Sequence, residues 1–172
     1  MSAPDEILIR SARTGDVPRM VELMEPLVAR RILLGKDLVD LYAAVPEFLV
    51  AEETGGSVIG YGAVHVMWEQ LGEVRTLGVS EEWLGRGIGH RLLSALEVRA
   101  HDLGLKQLFC LTFETDFFER HGFEQVGEDD ELVAAEVYAE LLRSNDEGVA
   151  EFLDLARVKP NTLGNTRMLK RL

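Results

Sequence analysis

The sequence Leu84-Gly85-Arg86-Gly87-Ile88-Gly89-His90 lies between an apolar, strand-like run, LGEVRTLGV (71–79), and an amphipathic, helix-like run, HRLLSALEVRAHDLG (90–104). Glycines in such a loop let backbone N–H groups approach a ligand closely. The first turn of the helix adds unpaired N–H donors and the positive end of its dipole. The pattern predicts a strand, loop and helix that together bind a phosphate group. A turn that only packs the helix on the strand is the alternative, and the loop alone leaves it open.

The spacing of the glycines reduces the classes of phosphate-containing ligand that the loop could bind. The run G-x-G-x-G over residues 85–89 is followed by His90, where the dinucleotide-binding pattern G-x-G-x-x-G would have its third glycine. The motif G-x-x-x-x-G-K-[ST], typical of nucleoside triphosphate binding, does not occur in the sequence. Both nucleotide-binding folds are therefore disfavoured.

The composition favours a single domain that acts on a small molecule. With 172 residues and 47% hydrophobic content the chain can bury one core, so we expect one domain over residues 1–172. The 30 acidic and 18 basic residues give a net charge of −12, which disfavours nucleic acid and anionic membranes as partners. The start, MSAPDEILIRSA, lacks the regions of a signal peptide, and no apolar run is long enough for a membrane span. We therefore expect a cytoplasmic protein.

The cysteine and histidine content predicts no metal site. Four histidines are dispersed, and the single cysteine forms neither a pair nor an internal disulfide. Cys110 lies in the strand-like run KQLFCLTF (106–113), where a buried thiol is expected rather than a nucleophile.

Strand-like and helix-like segments alternate along the chain. Capping residues, prolines, glycines and hydrophobic periodicity delimit them. The predicted order is a strand (7–12), a helix capped by Thr14 or Asp16 and kinked or ended by Pro26, a short helix after Asp37, strands over 47–53, 57–67 and 71–79, the loop and long helix, a strand (106–113), a short helix (116–121), a strand (123–126), a helical region within 131–144 and a closing strand (166–172).

The order of strands, the loop LGRGIG (84–89) and the later run FFERHGF (117–123) together resemble the GCN5-related N-acetyltransferases (GNAT) over about residues 7–126. The resemblance implies a mixed α/β fold in which the parallel strands 71–79 and 106–113 splay apart around acetyl-CoA. It implies that Leu77, Gly78 and Val79 and the loop Leu84, Gly85, Arg86, Gly87, Ile88, Gly89 and His90 bind this cosubstrate, with the loop backbone on its pyrophosphate. Leu84 departs from the family pattern, which has Gln or Arg there.

Acetyl transfer to an amine needs a base for the ammonium proton and donors for the thioester oxygen. Glu73 and Arg75 share a strand face, because residues two apart point the same way, so Glu73 is the candidate base. A solvated ion pair of these two side chains, or His65 as the base, are the alternatives. The N–H of Leu77 or Val79 would polarise the carbonyl.

The proton donor for the departing thiolate is less evident in the sequence. Many GNAT enzymes have a tyrosine where this chain has Phe117 and Phe118, and neither side chain has a proton to give. Thr112 is the nearest plausible hydroxyl, and its alternative role is to end the strand.

The segments GEVRTLGV (72–79), GLKQLFCLTFET (104–115) and NTRMLKRL (165–172), with the loop, are similar to the acetyltransferase domain of bacterial N-acetylglutamate synthases, in a short form without the amino-acid-kinase domain. The resemblance implies transfer to the α-amino group of glutamate, the first step of arginine biosynthesis. It implies Glu73 as base, Thr112 as acid, and an acceptor site that includes Lys36, Asn165, Thr166 and Arg167. Arg75, the cation on the same strand face as Glu73, is a further candidate for the acceptor site. Residues 127–165 would be an elaboration before the closing strand.

Glu114 bears on which of two amino acids, glutamate or glutamine, is the acceptor. The longer enzymes have an arginine in this loop, and a carboxylate there would repel glutamate but accept hydrogen bonds from the carboxamide of glutamine. We therefore expect glutamate with glutamine as a competitor. Another small amine, a protein N-terminus, or an acyl-CoA-binding module without catalysis are the alternatives. The sequence leaves open whether the chain forms a homodimer and whether arginine inhibits it.

Overall fold

The computed structural model describes residues 6–31, 35–128 and 130–172, except the side chain of Asn161. Two compact units divide the chain: Met1–His65 with Val74–Arg99, and Val66–Glu73 with Ala100–Leu172. We refer to them as the first and the second unit.

Helices and strands alternate through the described residues much as predicted. The strands are β1 (Leu8–Ser11), β2 (Phe48–Glu52), β3 (Val58–Trp68), β4 (Leu71–Val79), β5 (Gln107–Thr112), β6 (Glu124–Gln125) and β7 (Thr166–Arg171), and the α-helices are α1 (Val17–Ala29), α2 (Leu38–Ala44), α3 (Ile88–Asp102), α4 (Thr115–Arg120), α5 (Ala135–Leu141), α6 (Glu147–Phe152) and α7 (Lys159–Thr162). None of the described helices is long and apolar enough to cross a membrane.

The described strands form a mixed sheet in the order β1-β2-β3-β4-β5-β7-β6. Pairing is antiparallel for β1 with β2, β2 with β3, β5 with β7 and β6 with β7. It is parallel for β4 with β5, where Leu71, Gly72 and Glu73 are in register with Gln107, Leu108 and Phe109. The predicted mixed α/β fold is confirmed.

In the first unit, α1 packs its buried residues Val17, Met20 and Met24 into a core with residues of β2 and β3. Their spacing is that of one helix face. The opposite helix, α3, lies directly on the β3 backbone. An added Cβ at Gly62 would be 2.9 Å from side-chain carbons of both Leu77 and Leu96, so a larger residue there would require both leucine side chains to shift.

Arg10 joins the start of the first unit to β2. Its Nη1 donates to Asp16 Oδ2 at 2.8 Å and its Nε to Glu52 Oε2 at 2.6 Å. Hydrogen bonding to this guanidinium lowers the pKa of the Asp16 carboxyl. Asp16 occupies the N-cap position of α1, as one alternative predicted, but its carboxylate accepts from the Arg13 N–H at 2.7 Å rather than from the helix.

In the second unit, β7 lies between β5 and β6, so the end of the chain completes the sheet. The core includes Phe109 and Phe152, whose rings meet edge to face with centroids 5.3 Å apart. Helices α6 and α7 were not predicted from the sequence. Asp146 caps α6 by accepting from the Val149 N–H at 3.0 Å.

Candidate active site

The glycine loop is exposed and has an unusual backbone conformation. Gly85 and Gly87 have φ values of +76° and +78°, a region that glycine enters without the Cβ clash of other residues. A Cβ built at either exposed position meets no atom within 4 Å, so no side chain covers the backbone of the loop there. These observations fit the pyrophosphate of acetyl-CoA.

Helix α3 begins at Ile88, within the glycine-rich stretch Leu84–His90. In the first backbone hydrogen bond of the helix, the Arg91 N–H donates to the Gly87 carbonyl at 3.1 Å. The first N–H groups of a helix have no acceptor inside it, and the helix dipole is positive at this end. The predicted strand, loop and helix are thus present, with Ile88 buried and Leu84 62% exposed.

The end of β4 carries Leu77, Gly78 and Val79, the three residues predicted to bind the cosubstrate before the glycine loop. Thr76 has φ of +52°, which interrupts the extended backbone after Arg75. Side chains alternate between the two faces of an extended strand, and this rule placed Glu73 and Arg75 on one face. Because Thr76 interrupts the extended backbone, the rule does not extend to Leu77 and Val79. Gly78 is buried, and an added Cβ there would overlap the Tyr61 hydroxyl.

Glu73, the candidate base, is 4% exposed on β4 and stands in parallel register with Phe109. Cys110 follows on β5 and is buried, as predicted. Burial, together with the negative charge of Glu73, raises the pKa of the Cys110 thiol. The thiol is thus held neutral beside a buried carboxylate, which is the opposite of the arrangement that activates a cysteine nucleophile.

The two other candidates for proton transfer have identified hydrogen-bond partners. Thr112 ends β5 and its Oγ1 accepts from the Glu114 N–H at 2.8 Å, which is the strand-ending role that was its alternative. His65 Nδ1 lies 2.6 Å from Glu47 Oε1 in a partly exposed pair. This contact is the structural role expected for a strand histidine.

The second unit contains a cavity of about 310 Å³ whose lining includes Asn165, Thr166 and Arg167. These three residues were predicted to bind the acceptor, and the fold brings them to one cavity. Glu128 and Asp154 also line it, and so does Glu151, which is 7% exposed. A second cavity of about 390 Å³ shares Glu128, Asp154 and Arg167 with the first.

Arg167 is anchored to the end of α6. Its Nε donates to the Glu151 carbonyl at 3.2 Å and its Nη2 to the Phe152 carbonyl. Burial lowers the pKa of the guanidinium, and the charges of Asp154, Asp130 and Glu128 oppose that effect. Sequence reasoning missed these carboxylates. The acidic run 128–131 is the sequence feature that could have pointed to Glu128 and Asp130, whereas Asp154 lies outside that run.

The remaining predicted acceptor residues are not among those that line the two cavities. Lys36 is exposed before α2, and Arg75 is on β4, so both belong to the first unit. Glu114 is exposed at the N-cap of α4 in the second unit. Within the described ranges, no group of three or more His, Cys, Asp or Glu side chains could hold a metal ion.

Known proteins match the chain in sequence. A family model described as an acetyltransferase (GNAT) domain matches residues 45–125. An amino-acid acetyltransferase of Mycobacterium tuberculosis is 52% identical over 164 residues, which cover 94% of this chain and 92% of that protein. The chain therefore belongs to the GNAT acetyltransferases, the enzymes that transfer acetyl groups from acetyl-CoA.

The chain also matches a second amino-acid acetyltransferase and two crystal structures. The acetyltransferase, from Neisseria meningitidis, is 32% identical over 126 residues, covering 72% of this chain and 29% of that protein. A crystal structure of a Mycobacterium tuberculosis protein in complex with CoA and NLQ matches with TM-score 0.90 and 52% identity, over 96% of this chain and 99% of that chain. The N-acetylglutamate synthase of Neisseria gonorrhoeae, complexed with coenzyme A and N-acetyl-glutamate, matches with TM-score 0.76 and 25% identity, over 100% of this chain and 36% of that chain.

Proposed function

We propose that this chain is a cytoplasmic, single-domain amino-acid α-N-acetyltransferase whose acceptor is L-glutamate, with L-glutamine as the competing acceptor. The reaction would be the first step of arginine biosynthesis. The relatives from Mycobacterium and Neisseria named as amino-acid acetyltransferases support this acceptor class. So does the likeness to a synthase complexed with N-acetyl-glutamate.

The observation that carries the proposal is the Arg167 guanidinium in the wall of the 310 Å³ cavity. An amino acid differs from other primary amines by its carboxylate, and a half-buried guanidinium is a geometrically suited partner for it. Asn165 and Thr166, in the same wall, add an amide and a hydroxyl that can hydrogen-bond to a polar ligand. Polyamines carry no anionic group for this cation, but the carboxylates of Glu128, Glu151 and Asp154 in the same wall would attract their ammonium groups, so spermidine is the acceptor that the test must separate from amino acids.

In the reaction, Glu73 takes a proton from the α-ammonium group of the acceptor, directly or through a water, so that the neutral amine can attack. The backbone N–H of Leu77 or Val79 stabilises the negative charge that develops on the thioester oxygen. Thr112 is the proposed proton donor to the departing thiolate. A thiol with a pKa of about 8.5 is a good leaving group with little assistance, so the proton donor contributes least to the rate enhancement.

The acidic lining of the cavity bears on the choice between the two acceptors. Glu128, Asp154 and Glu151 surround the single guanidinium of Arg167 in this cavity. A second carboxylate, such as that of glutamate, is disfavoured among these charges, whereas the neutral carboxamide of glutamine can hydrogen-bond to them. This charge pattern is why glutamine is retained as a competitor.

The test is thiol release from acetyl-CoA with a panel of glutamate, glutamine, aspartate, lysine, spermidine and a short peptide. We expect turnover with glutamate or glutamine at a kcat/KM at least about tenfold above every other acceptor, one decade being about 1.4 kcal/mol of transition-state preference. Preference for spermidine or the peptide would replace the proposed acceptor class. Tight CoA binding without turnover of any acceptor would identify an acyl-CoA-binding module.

A further inference from the structure

The phosphate loop lies in an unfavourable electrostatic setting. The chain has a net charge of −12, and Glu81 and Glu82 lie shortly before the loop. An anionic cosubstrate is repelled by such a surface unless cations are held locally. One of these carboxylates is compensated, because Glu81 Oε1 accepts from Arg30 Nη2 at 2.7 Å.

A second cation is held inside the loop itself. Arg86 stands between Gly85 and Gly87, and the carbon at the centre of its guanidinium lies 4.6 Å from the centroid of the Trp83 ring. This distance is well inside the range for a cation–π contact, which also orients the planar guanidinium against the ring. Trp83 ends the short 3-10 helix Glu81–Trp83 and is half-buried, whereas Arg86 is exposed.

The stacking compensates for freedom elsewhere in the loop. Glycine on both sides of Arg86 permits many backbone conformations, and an exposed arginine side chain has many rotamers. A ring anchored in the preceding 3-10 helix restricts the guanidinium to one side of the loop before the ligand arrives. Such preorganisation increases affinity, because less freedom is lost on binding.

We propose that Trp83 is a positioning residue for the phosphate loop: its indole ring holds the Arg86 guanidinium where this cation meets the phosphates of acetyl-CoA. Arg86 thereby supplies the side-chain charge that Leu84 lacks. The proposal rests on acetyl-CoA as the donor and is independent of which amine is acetylated, so the acceptor can be reassigned without affecting it.

The test compares CoA affinity, by calorimetry, and the KM for acetyl-CoA in matched variants. Arg86→Gln should weaken CoA binding about tenfold or more, as expected for the loss of a charge-assisted hydrogen bond. Trp83→Leu should weaken it about 2- to 5-fold, the range for an exposed cation–π contact. kcat and the KM for the acceptor should stay unchanged. Trp83→Phe, which keeps a ring, should recover most of the loss.

The double variant separates positioning from mere packing. In the Arg86→Gln background, Trp83→Leu should cause no further loss of CoA affinity, because the contact it serves is already gone. The exposed tryptophan of β3 is the control, and Trp68→Leu should bind CoA like the unchanged protein. Equal losses from Trp83→Leu with and without Arg86, or full CoA affinity in Trp83→Leu, would overturn the proposal. Folding of each variant is checked by its thermal unfolding midpoint.

Discussion

The glycine loop and the Arg167 cavity are built in opposite ways. The loop is one continuous stretch, Leu84–His90, and its shape follows from positive φ at Gly85 and Gly87. The cavity wall comes from segments as far apart as Leu111 and Arg167 in the sequence. A site made of neighbours is encoded locally, whereas a site made of distant segments exists only after the sheet has assembled.

The two regions also differ in what their key side chains do. Arg86 is exposed and lies over Trp83, so its loss should affect ligand binding more than folding. Arg167 donates to two backbone carbonyls at the end of α6, so it serves the fold as well as the proposed acceptor. Changes in the cavity should therefore alter stability and acceptor use together.

The largest effect should come from Glu73→Gln, which tests whether the rate of acetyl transfer can be lowered while CoA binding by the loop is kept. The variant keeps the shape of the buried side chain but removes the base, so kcat should fall by about 10²- to 10⁴-fold at neutral pH. Activity should recover in part as pH rises, because the amine then loses its proton unaided. CoA affinity by calorimetry should not change.

The exposed Glu69 is the matched control, and Glu69→Gln should retain full activity. Full activity of Glu73→Gln at neutral pH would instead transfer the role of base to His65 or to solvent.

Arg167→Ala should show the coupling of fold and acceptor in the cavity. Losing one charge-assisted contact should lower kcat/KM for the amino acid by about 10- to 150-fold, with acetyl-CoA binding unchanged. The carbonyls of Glu151 and Phe152 would also lose their hydrogen-bond donor, so the free energy of unfolding in urea should fall by about 1–2 kcal/mol. Arg157→Ala, which removes an exposed cation paired with Glu147 at 2.6 Å, is the control. A uniform loss for all acceptors, including amines without a carboxylate, would make Arg167 purely structural.

Gly87→Asp tests the loop as an anion site. The added carboxylate should weaken CoA binding by about tenfold or more, because like charges a few ångströms apart cost about 1–4 kcal/mol. Positive φ at this position adds a modest folding cost.

Gly104→Asp is the matched control for that strain. It follows the other end of α3, has φ of +89° and has no atom within 4 Å of an added Cβ. CoA affinity should be unchanged in this variant. Equal loss in both variants would mean that the effect comes from backbone strain and not from the phosphate site.

Glu114→Arg should give a smaller change, confined to the acceptor. Replacing an exposed carboxylate by a cation should move the ratio of kcat/KM for glutamate over glutamine about 2- to 5-fold towards glutamate, the size of an exposed charge contact. Glu119→Arg, an equal charge change on exposed α4, should leave the ratio unaltered. An unchanged ratio in Glu114→Arg would show that this loop does not meet the acceptor side chain.

The smallest effect should appear in stability alone. Tyr61 is fully buried, and in the part of the chain that the structure describes its Oη has no hydrogen-bond partner. Burial also raises the pKa of this hydroxyl, so it stays protonated. Tyr61→Phe should stabilise the protein by about 1 kcal/mol in urea unfolding, because an unsatisfied buried group is removed. Tyr138→Phe, at an exposed ring, should change nothing, and a destabilised Tyr61→Phe would reveal a partner for the hydroxyl.

Most of the elements were predictable, and the misses have physical causes. The local sequence patterns delimited β4 and β7 closely, and they predicted the start of α2 but not its end. A helical region was predicted within 131–144, and the helix found there, α5, covers only Ala135–Leu141. Helix α6 was not predicted. Short helices gain little from local propensity and depend on packing, as Phe152 of α6 shows by its contact with Phe109.

The sequence by itself predicted the strand, loop and helix of the proposed phosphate site and the burial of Cys110. Those features depend on backbone freedom at glycine and on hydrophobic periodicity, which are properties of neighbouring residues. The mixed fold was implied by the resemblance to the GNAT enzymes. Only the tertiary structure decided that β7 lies between β5 and β6, that Arg167 is tied to α6, and that Glu128 and Asp154 share its cavity. Contacts between distant segments are set by how the whole sheet packs, and no local pattern records them.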